Sequence, residues 1–502
     1  MRASTLNHTK ASPFPNFTPA QAAGFISFFS SLILFALSNS YNSDSIVYLH
    51  TADVFSSSGW EAAKAIYPRP FYSALIGLFS NATHLSTEVS AQLVSSSLVA
   101  LTAFGFVHLL SSLGANTQTL KIGAVIICIY PGIASYKDYF IRDFGYWSFM
   151  LLTISLCISH YRTCKRLDLM LWLLFGGLAT FFRPEALALV LALFLSSLTL
   201  TITTFKTKKC IFIQYIVVSA LITCGLLALS FLSTTTPLDA IHEYAIYVPT
   251  QTLSRLIESW EQVSSTLELE ILNRHSREFA DTSLIAIYAT IYLSQLANGL
   301  SVPFTAGLLY FLCKRQLELP NPKFVVVTAA ITILMTTIFL VSKQFIQTRY
   351  LVLLCLLLLI PLTFSISHRA DEFSATTKKA LLIIAALMFI DGHVSFGHSK
   401  KFIADSILWT KVNSPDKATI ISNDPQISYL SGREYNFKQL NLLRNNKELD
   451  TSQIPSGYDI IAWKSEKGKS PSTSFTIQQT TYHQVTFFAN KRDDRVTIYR
   501  AQ

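Results

Sequence analysis

Ionisable groups in this chain collect where apolar runs begin or end. Asp44 follows the first apolar run within about one helical turn. A carboxylate partly desolvated at such a mouth has a raised pKa and can accept a proton from a hydroxyl; an ordinary interfacial aspartate is the plainer alternative. In Tyr67-Pro68-Arg69-Pro70-Phe71-Tyr72 two prolines fix the backbone on either side of one guanidinium. Fixed presentation suits bidentate phosphate recognition, although an arginine snorkelling to lipid headgroups would look the same. The stretch 136–145 adds Asp138, Arg142 and Asp143. In a helix, Asp138 and Arg142 would stand at i and i+4 as a surface pair. Asp143 enters the next apolar run, where an acid is costly and functional by default, and is therefore favoured over Asp138. Arg183 and Glu185 sit between two apolar runs with no hydrophilic loop around them, as local partners. Lys343, Arg349 and Tyr350 occupy a similar gap. Such a set is suited to moving a group off a phosphate. Cations hold the departing phosphate while a carboxylate takes the proton of the incoming hydroxyl.

The elements that must hold these groups are membrane helices. Charged residues are 14% of the 502, and the apolar set is 51%, against roughly 25% charged in an average globular chain. That balance excludes both a large soluble protein and a disordered one. A bilayer core of ~30 Å needs about 20 apolar residues per helix. Eleven runs satisfy that reading: 22–40, 90–112, 120–135, 144–160, 167–182, 185–203, 210–233, 297–313, 323–342, 350–367 and 380–396. The first lacks a small-residue cleavage site and is read as retained. Runs 71–80 and 283–296 are short and read as half-inserted. Lys and Arg crowd the short connections around Arg162–Arg166, Lys206–Lys209, Lys314–Lys323 and Arg369–Lys379. Their density puts the amino terminus in the cytoplasm and the carboxyl terminus outside. Asp44, Asp53, Glu61, Glu88, Asp138, Asp143 and Glu185 then all fall on the outer side. The net charge of +10 is explained by the inner loops and calls for no nucleic acid.

The chain thus reads as an α-helical multi-pass membrane protein with a small carboxyl-terminal α/β domain outside the membrane. Residues 1–21 form a cytoplasmic tail, 22–396 the membrane domain and 397–502 the soluble domain. In the last of these, 418–422, 458–463, 484–488 and 495–500 alternate like strands between turn-formers such as Asn423-Asp424-Pro425 and Pro455-Ser456-Gly457. The outer loop 41–89 mixes polar and apolar residues from Asp44 to Ile66, as helices lying in the interface do. The outer loop 234–296 carries Leu253, Leu256, Ile257, Trp260 and Leu267 at helical spacing, and reads as a lid. The seven cysteines lie in or beside apolar runs without a CxxC pair, and read as packing residues.

In this layout the chain resembles the GT-C-fold glycosyltransferases that use polyprenyl-phosphate sugars, the group of the protein O-mannosyltransferases and the aminoarabinose transferase of lipid A. The resemblance rests on Asp44 after the first span and on a long amphipathic outer loop closing with Arg69-Pro70-Phe71-Tyr72. Arg142-Asp143 at the fourth span, Arg349-Tyr350 before a later one, and the outward α/β tail complete it. Relatives carry Lys-Pro-Pro-Leu or His-Pro-Pro-Leu where this chain has Arg69-Pro70-Phe71. The resemblance implies an inverting single displacement at the anomeric carbon, with no nucleotide sugar. Asp44 would be the general base and Asp143 would orient acceptor or donor, with Asp138 competing for that role. Arg69 and Arg349 would hold the lipid phosphate, supported by Arg183, Lys343 and Tyr350. The resemblance implies no certain cofactor; a divalent metal, if one takes part, would sit on Asp44 and Asp143. The implied partners are a polyprenyl-phosphate sugar donor and a lipid, glycan or protein acceptor. The implied setting is a bacterial inner membrane with a periplasmic active site. Two other readings compete. A ligase or polymerase using a lipid diphosphate would draw on His242, Arg255, Arg274, His275 and Arg277 of the 234–296 loop. A flippase for lipid-linked sugars would need repeat symmetry or midplane charges, and neither is seen in the sequence.

Overall fold

The computed structural model describes residues 17–38, 40–199, 216, 249–320, 322–394, 400–443, 449, 451–466 and 472–502. Fifteen helices run through the first four-fifths of the chain among those residues: α1 Pro19–Leu37, α2 Ser43–Ile66, α3 Phe71–Thr83, α4 Thr87–Ser112, α5 Thr117–Ile129, α6 Pro131–Ala134, α7 Asp143–Thr163, α8 Arg166–Phe182, α9 Ala186–Thr199, α10 Pro249–Thr266, α11 Ala280–Leu300, α12 Val302–Cys313, α13 Lys323–Lys343, α14 Thr348–His368 and α15 Ala375–His393. After them come α16 Lys401–Asn413, β1 Ile420–Ser422, α17 Pro425–Leu430, α18 Phe437–Leu443, β2 Ile460–Ser465, β3 Ser474–Ile477, β4 Thr480–Ala489 and β5 Arg495–Ala501.

The reading of eleven spans is corrected. Among the described residues, five helices are long and apolar enough to cross a membrane: α1, α4, the segment Arg277–Leu300 that contains α11, α13 and α14. The causes are local. Ser301 adopts φ 70° and breaks the run 297–313, leaving α12 with 12 residues. The run 283–296, read from sequence as half-inserted, instead belongs to the 21-residue α11. α7 carries Asp143, His160 and Arg162 in its end turns, α8 stops at 17 residues, and α15 opens on Thr376, Thr377, Lys378 and Lys379. Apart from Ile216, the run 210–233 lies outside the described residues.

The chain divides into two compact units. The first is built from the described residues of Met1–Phe28, Val99–Gly132 and Gly145–Ala386. At its centre α14 is buried along nearly its whole length, with α5, α11, α12 and α13 packed on it. Polar side chains tie this apolar bundle together. Thr119 Oγ1 donates to Ser367 Oγ (2.8 Å), Tyr130 Oη to the Gly299 carbonyl (2.7 Å) and Thr348 Oγ1 to Gln295 Oε1 (2.7 Å). Between apolar helices in lipid there is no hydrophobic gain to hold them, so close packing and such bonds carry the association. Gly145 shows how tight the packing is: a Cβ there would stand 2.3 Å from the Phe182 ring.

The second unit comprises Phe29–Leu98, Ile133–Phe144 and the described residues of Leu387–Gln502. Its sheet has the order β1-β2-β5-β4-β3, with β1 and β2 parallel and the other pairs antiparallel. Both faces are covered, so β2 is apolar without a break from Ile460 to Trp463. Ile460 and Ala462 join Phe402, Ile403, Ile427 and Ile498 on one side. Ile461 and Trp463 join Leu443, Ile454, Tyr482 and Tyr499 on the other, as a period of two requires. α2 starts from an Asn42 cap whose Oδ1 accepts from Ser45 N (2.7 Å). It kinks at Gly59, φ 82°. α3 lies against it so closely at Gly77 that a Cβ would meet Phe55, Ser56 and the Ala52 carbonyl within 3.0 Å.

The carboxyl-terminal residues are seated on α2. Tyr429 Oη donates to Asp53 Oδ2 (2.5 Å), and Thr87 Oγ1 donates to the other oxygen (2.5 Å). His50 stacks on Phe437, ring centres 4.2 Å apart, and its Nδ1 lies 2.8 Å from Tyr435 Oη. Tyr41 N donates to Gln426 Oε1 (2.6 Å). One edge of α2, which its amphipathic pattern assigns to the membrane interface, is therefore occupied by protein.

Candidate functional site

In the second unit a buried carboxylate, Asp143, acts on two buried tyrosines, Tyr48 and Tyr72. Asp143 is the first residue of α7 and is 4% exposed; an acid there meets the positive end of the helix dipole. Tyr48 from α2 is buried and hydrogen-bonded to Tyr67, the residue that ends α2. Its ring meets Tyr67 and Tyr72 edge-on, at 5.3 and 5.1 Å. Burial raises the Tyr48 hydroxyl well above the phenol range, with Tyr67 and Asp143 adding to that and Arg142 opposing it. Tyr72 is likewise raised, first by burial and then by Asp143, while its hydrogen bond with Ser95 Oγ (2.6 Å) lowers it. Arg142 lies over the Tyr67 ring at 5.7 Å. Tyr48 and Tyr72 stay protonated at neutral pH, and so act as donors or acceptors of hydrogen bonds.

Asp44 lies in the first turn of α2, four residues before Tyr48 and thus on the same helical stripe. Arg69 lies between α2 and α3, in the Pro68–Pro70 break, two residues beyond Tyr67. The two competing acids stand in different surroundings. Asp138 sits in a turn, and no helix carries it with Arg142, so the i, i+4 pair does not form. Burial raises the Asp138 carboxyl, and the Lys400 charge and the Ser38 hydroxyl lower it again. Asp138 thus shares its surroundings with Lys400 and Ser38, whereas Asp143 shares its own with Tyr48 and Tyr72.

In the first unit, Arg183 ends α8 and is 8% exposed. Its Nε lies 3.7 Å from Glu185 Oε2, as the sequence suggests. Its guanidinium also lies over two rings, Tyr350 at 4.9 Å and Tyr146 at 5.4 Å. Arg349 stands over the same Tyr350 ring at 5.3 Å, and its Nη2 donates to Tyr350 Oη at 3.4 Å. A small pocket of about 40 Å³ opens beside Arg183, with Leu189, Met335 and Phe339 as its apolar wall. Lys343 is the exposed last residue of α13 and does not line that pocket. α10 is pinned within the unit: Trp260 Nε1 and Ser264 Oγ donate to Asp281 Oδ1 (2.9 and 2.7 Å), and Ser259 Oγ to the Val341 carbonyl (3.0 Å).

Asp44, Arg69, Asp138 and Asp143 therefore belong to one unit, and Arg183, Lys343, Arg349 and Tyr350 to the other. Sequence reasoning missed Tyr48, Tyr67, Tyr72 and Tyr146 as neighbours of the charges. The aromatic flanks of Arg69 in Tyr67–Tyr72 were the one signal on offer. No trio of His, Cys, Asp or Glu that could hold a metal ion gathers among the described residues. No protein-family model matches the chain, and no curated protein matches it either.

Proposed function

We propose that this chain is an integral-membrane glycosyltransferase that moves a sugar from a polyprenyl phosphate to a hydroxyl acceptor on the extracytoplasmic side. The observation that carries the reading is the buried Asp143 carboxylate, whose charge is felt by Tyr48 and Tyr72, next in sequence to Arg142, which lies over the Tyr67 ring. An acid kept out of water in a membrane protein is costly, and here it stands with a cation and hydroxyl donors. In the reaction, the acceptor oxygen forms a bond to the anomeric carbon as the bond from that carbon to the phosphate oxygen breaks. The phosphate leaves with the electron pair, and the acceptor's proton passes to a carboxylate. Asp44 takes that proton, Asp143 orients the reacting sugar or hydroxyl, and Arg69 and Arg142 offset the charge growing on the phosphate.

The Arg183 pocket supports the same reading independently. Its guanidinium is held flat by two aromatic rings with apolar side chains alongside, which suits a phosphate carrying a greasy chain. A cytoplasmic amino terminus and a periplasmic carboxyl-terminal domain in a bacterial inner membrane are carried into this reading from the Lys and Arg density of the sequence, counted on the eleven apolar runs. The test supplies the purified full-length protein, in lipid nanodiscs, with synthetic polyprenyl-phosphate sugars or the matching diphosphates, plus glycan, lipid A and peptide acceptors. Transfer from the monophosphate supports the proposal. Transfer from the diphosphate alone would replace it with the ligase reading.

A further inference from the structure

Besides the buried Asp143, the second unit holds a polar cavity of about 260 Å³. Its walls come from three places. Tyr41, Asn42 and Ser43 form the turn that leads into α2, Lys400 and Ile403 belong to the start of α16, and the loop 423–426 with Lys464 of β2 closes it. The size falls just under the ~300 Å³ at which pockets for drug-sized ligands begin, so it suits a group about as large as one sugar ring.

The walls are held by their own bonds. Asn423 Nδ2 donates to the Lys464 carbonyl and Asn423 Oδ1 accepts from Lys464 N, both at 2.8 Å. Lys464 Nζ donates to Asp424 Oδ2 (2.7 Å), while Asp424 Oδ1 accepts from Gln426 N (3.1 Å) and Nε2 (3.3 Å). Gln426 Oε1 in turn receives Tyr41 N. The Tyr41 hydroxyl donates to Glu88, so that ring is fixed as well. A polar network so fully connected is rigid, which is what a recognition site requires.

The charges point to the ligand class. Lys400 and Lys464 are balanced by Asp424 and by Asp138, which lies close enough to Lys400 for its carboxyl to be stabilised. A site for a multiply phosphorylated headgroup would keep an excess of cations. This one offers donors (Lys400, Lys464) and acceptors (Asp424, Gln426) in near balance, as hydroxyls that both donate and accept demand. Ser43 of its wall is followed directly by Asp44, the proposed base.

We infer that this cavity is the acceptor subsite, and that the acceptor is a neutral sugar of a glycan. The inference rests on the transferase reading for the word acceptor, but sugar binding can be measured without turnover. The experiment is saturation-transfer difference NMR on the full-length protein in nanodiscs, with no donor present. The probes are methyl mannoside, N-acetylglucosamine and glycerol phosphate. Lys400→Ala alters an exposed side chain, and Lys464→Gln keeps a donor for Asp424. The expected result is saturation of a neutral sugar, with affinity lowered about tenfold in each variant through loss of a charge-assisted hydrogen bond. Trp409 and Trp463 fluorescence checks that the domain remains folded. Absence of sugar binding in the wild type overturns the inference, as does unchanged affinity in both folded variants or preference for glycerol phosphate. Sugar binding that follows the variants in a protein with no transfer activity would leave the cavity's role standing and remove the transferase reading instead.

Discussion

Asp53 is the most exacting place to test how the carboxyl-terminal residues are fastened. Its two oxygens accept from Tyr429 and Thr87 at 2.5 Å each. Burial and the Asp53 charge push the Tyr429 hydroxyl far above the phenol range, as expected of a donor whose partner is an anion. Hydrogen bonds to charged groups contribute about 1.5–3 kcal/mol. Tyr429→Phe removes one of them and leaves Asp53 with Thr87. Asp53→Ala removes both and strands a buried phenol, at an expected cost of about 2–4 kcal/mol once non-additivity is allowed for. The double variant should cost little more than Asp53→Ala, so the coupling energy of the cycle should be about 1.5–3 kcal/mol. Hydrogen exchange followed by mass spectrometry, on peptides covering 425–430 and 43–58, reads this as local opening. Tyr429→Phe should lower protection there by about 10- to 150-fold. Additive effects of the two substitutions would refute the reasoning, because they would mean that the two side chains do not meet in solution.

His50 gives a pH dependence of definite sign. Burial holds its imidazole below the ordinary 6.5, so the folded state binds fewer protons than the unfolded between those two values. Stability of the contact with Tyr435 and Phe437 should be complete above pH 6.5 and decline as pH falls below it, and exchange of residues 435–440 against pH reports it. Gly77→Ala should destabilise the α2–α3 pair by about 1–3 kcal/mol, because backbone as well as side chains block a Cβ; thermal unfolding with Gly177→Ala, where a Cβ meets nothing within 4 Å, is the control. Arg183→Lys keeps the charge but loses the planar contact with Tyr146 and Tyr350. Under the proposed function it should raise the donor KM about tenfold with kcat less affected.

What the sequence disclosed follows from how local each signal is. β2 and β5 were legible because their alternation lies within a few residues, and β1 and β4 emerged near their expected places. β3, Ser474–Ile477, escaped because four residues of Ser, Phe, Thr and Ile at a sheet edge carry too short a period to stand out. The break at Ser301 was marked by Gly299 just before it and by Pro303 in the first turn of α12, but the unbroken apolar character of 297–313 outweighed both. The Arg183–Glu185 pair was readable because only Pro184 separates them, whereas His50 and Tyr435 lie 385 positions apart and no periodicity links them. Of the site, the charged residues announced themselves by being out of place in apolar surroundings. The tyrosines did not, because in a chain with 21 of them a tyrosine beside a membrane helix is ordinary.

The central claim meets its most direct test in a single-turnover measurement of polyprenyl phosphate released from a radiolabelled polyprenyl-phosphate sugar, with wild type, Asp44→Asn and Asp143→Asn compared at equal protein and donor. The account predicts release coupled to acceptor labelling in the wild type, slowed by at least about 100-fold in Asp44→Asn and strongly in Asp143→Asn, with both variants folded. Wild-type rates in both variants, or a wild type that releases no lipid phosphate from any sugar donor, would contradict it.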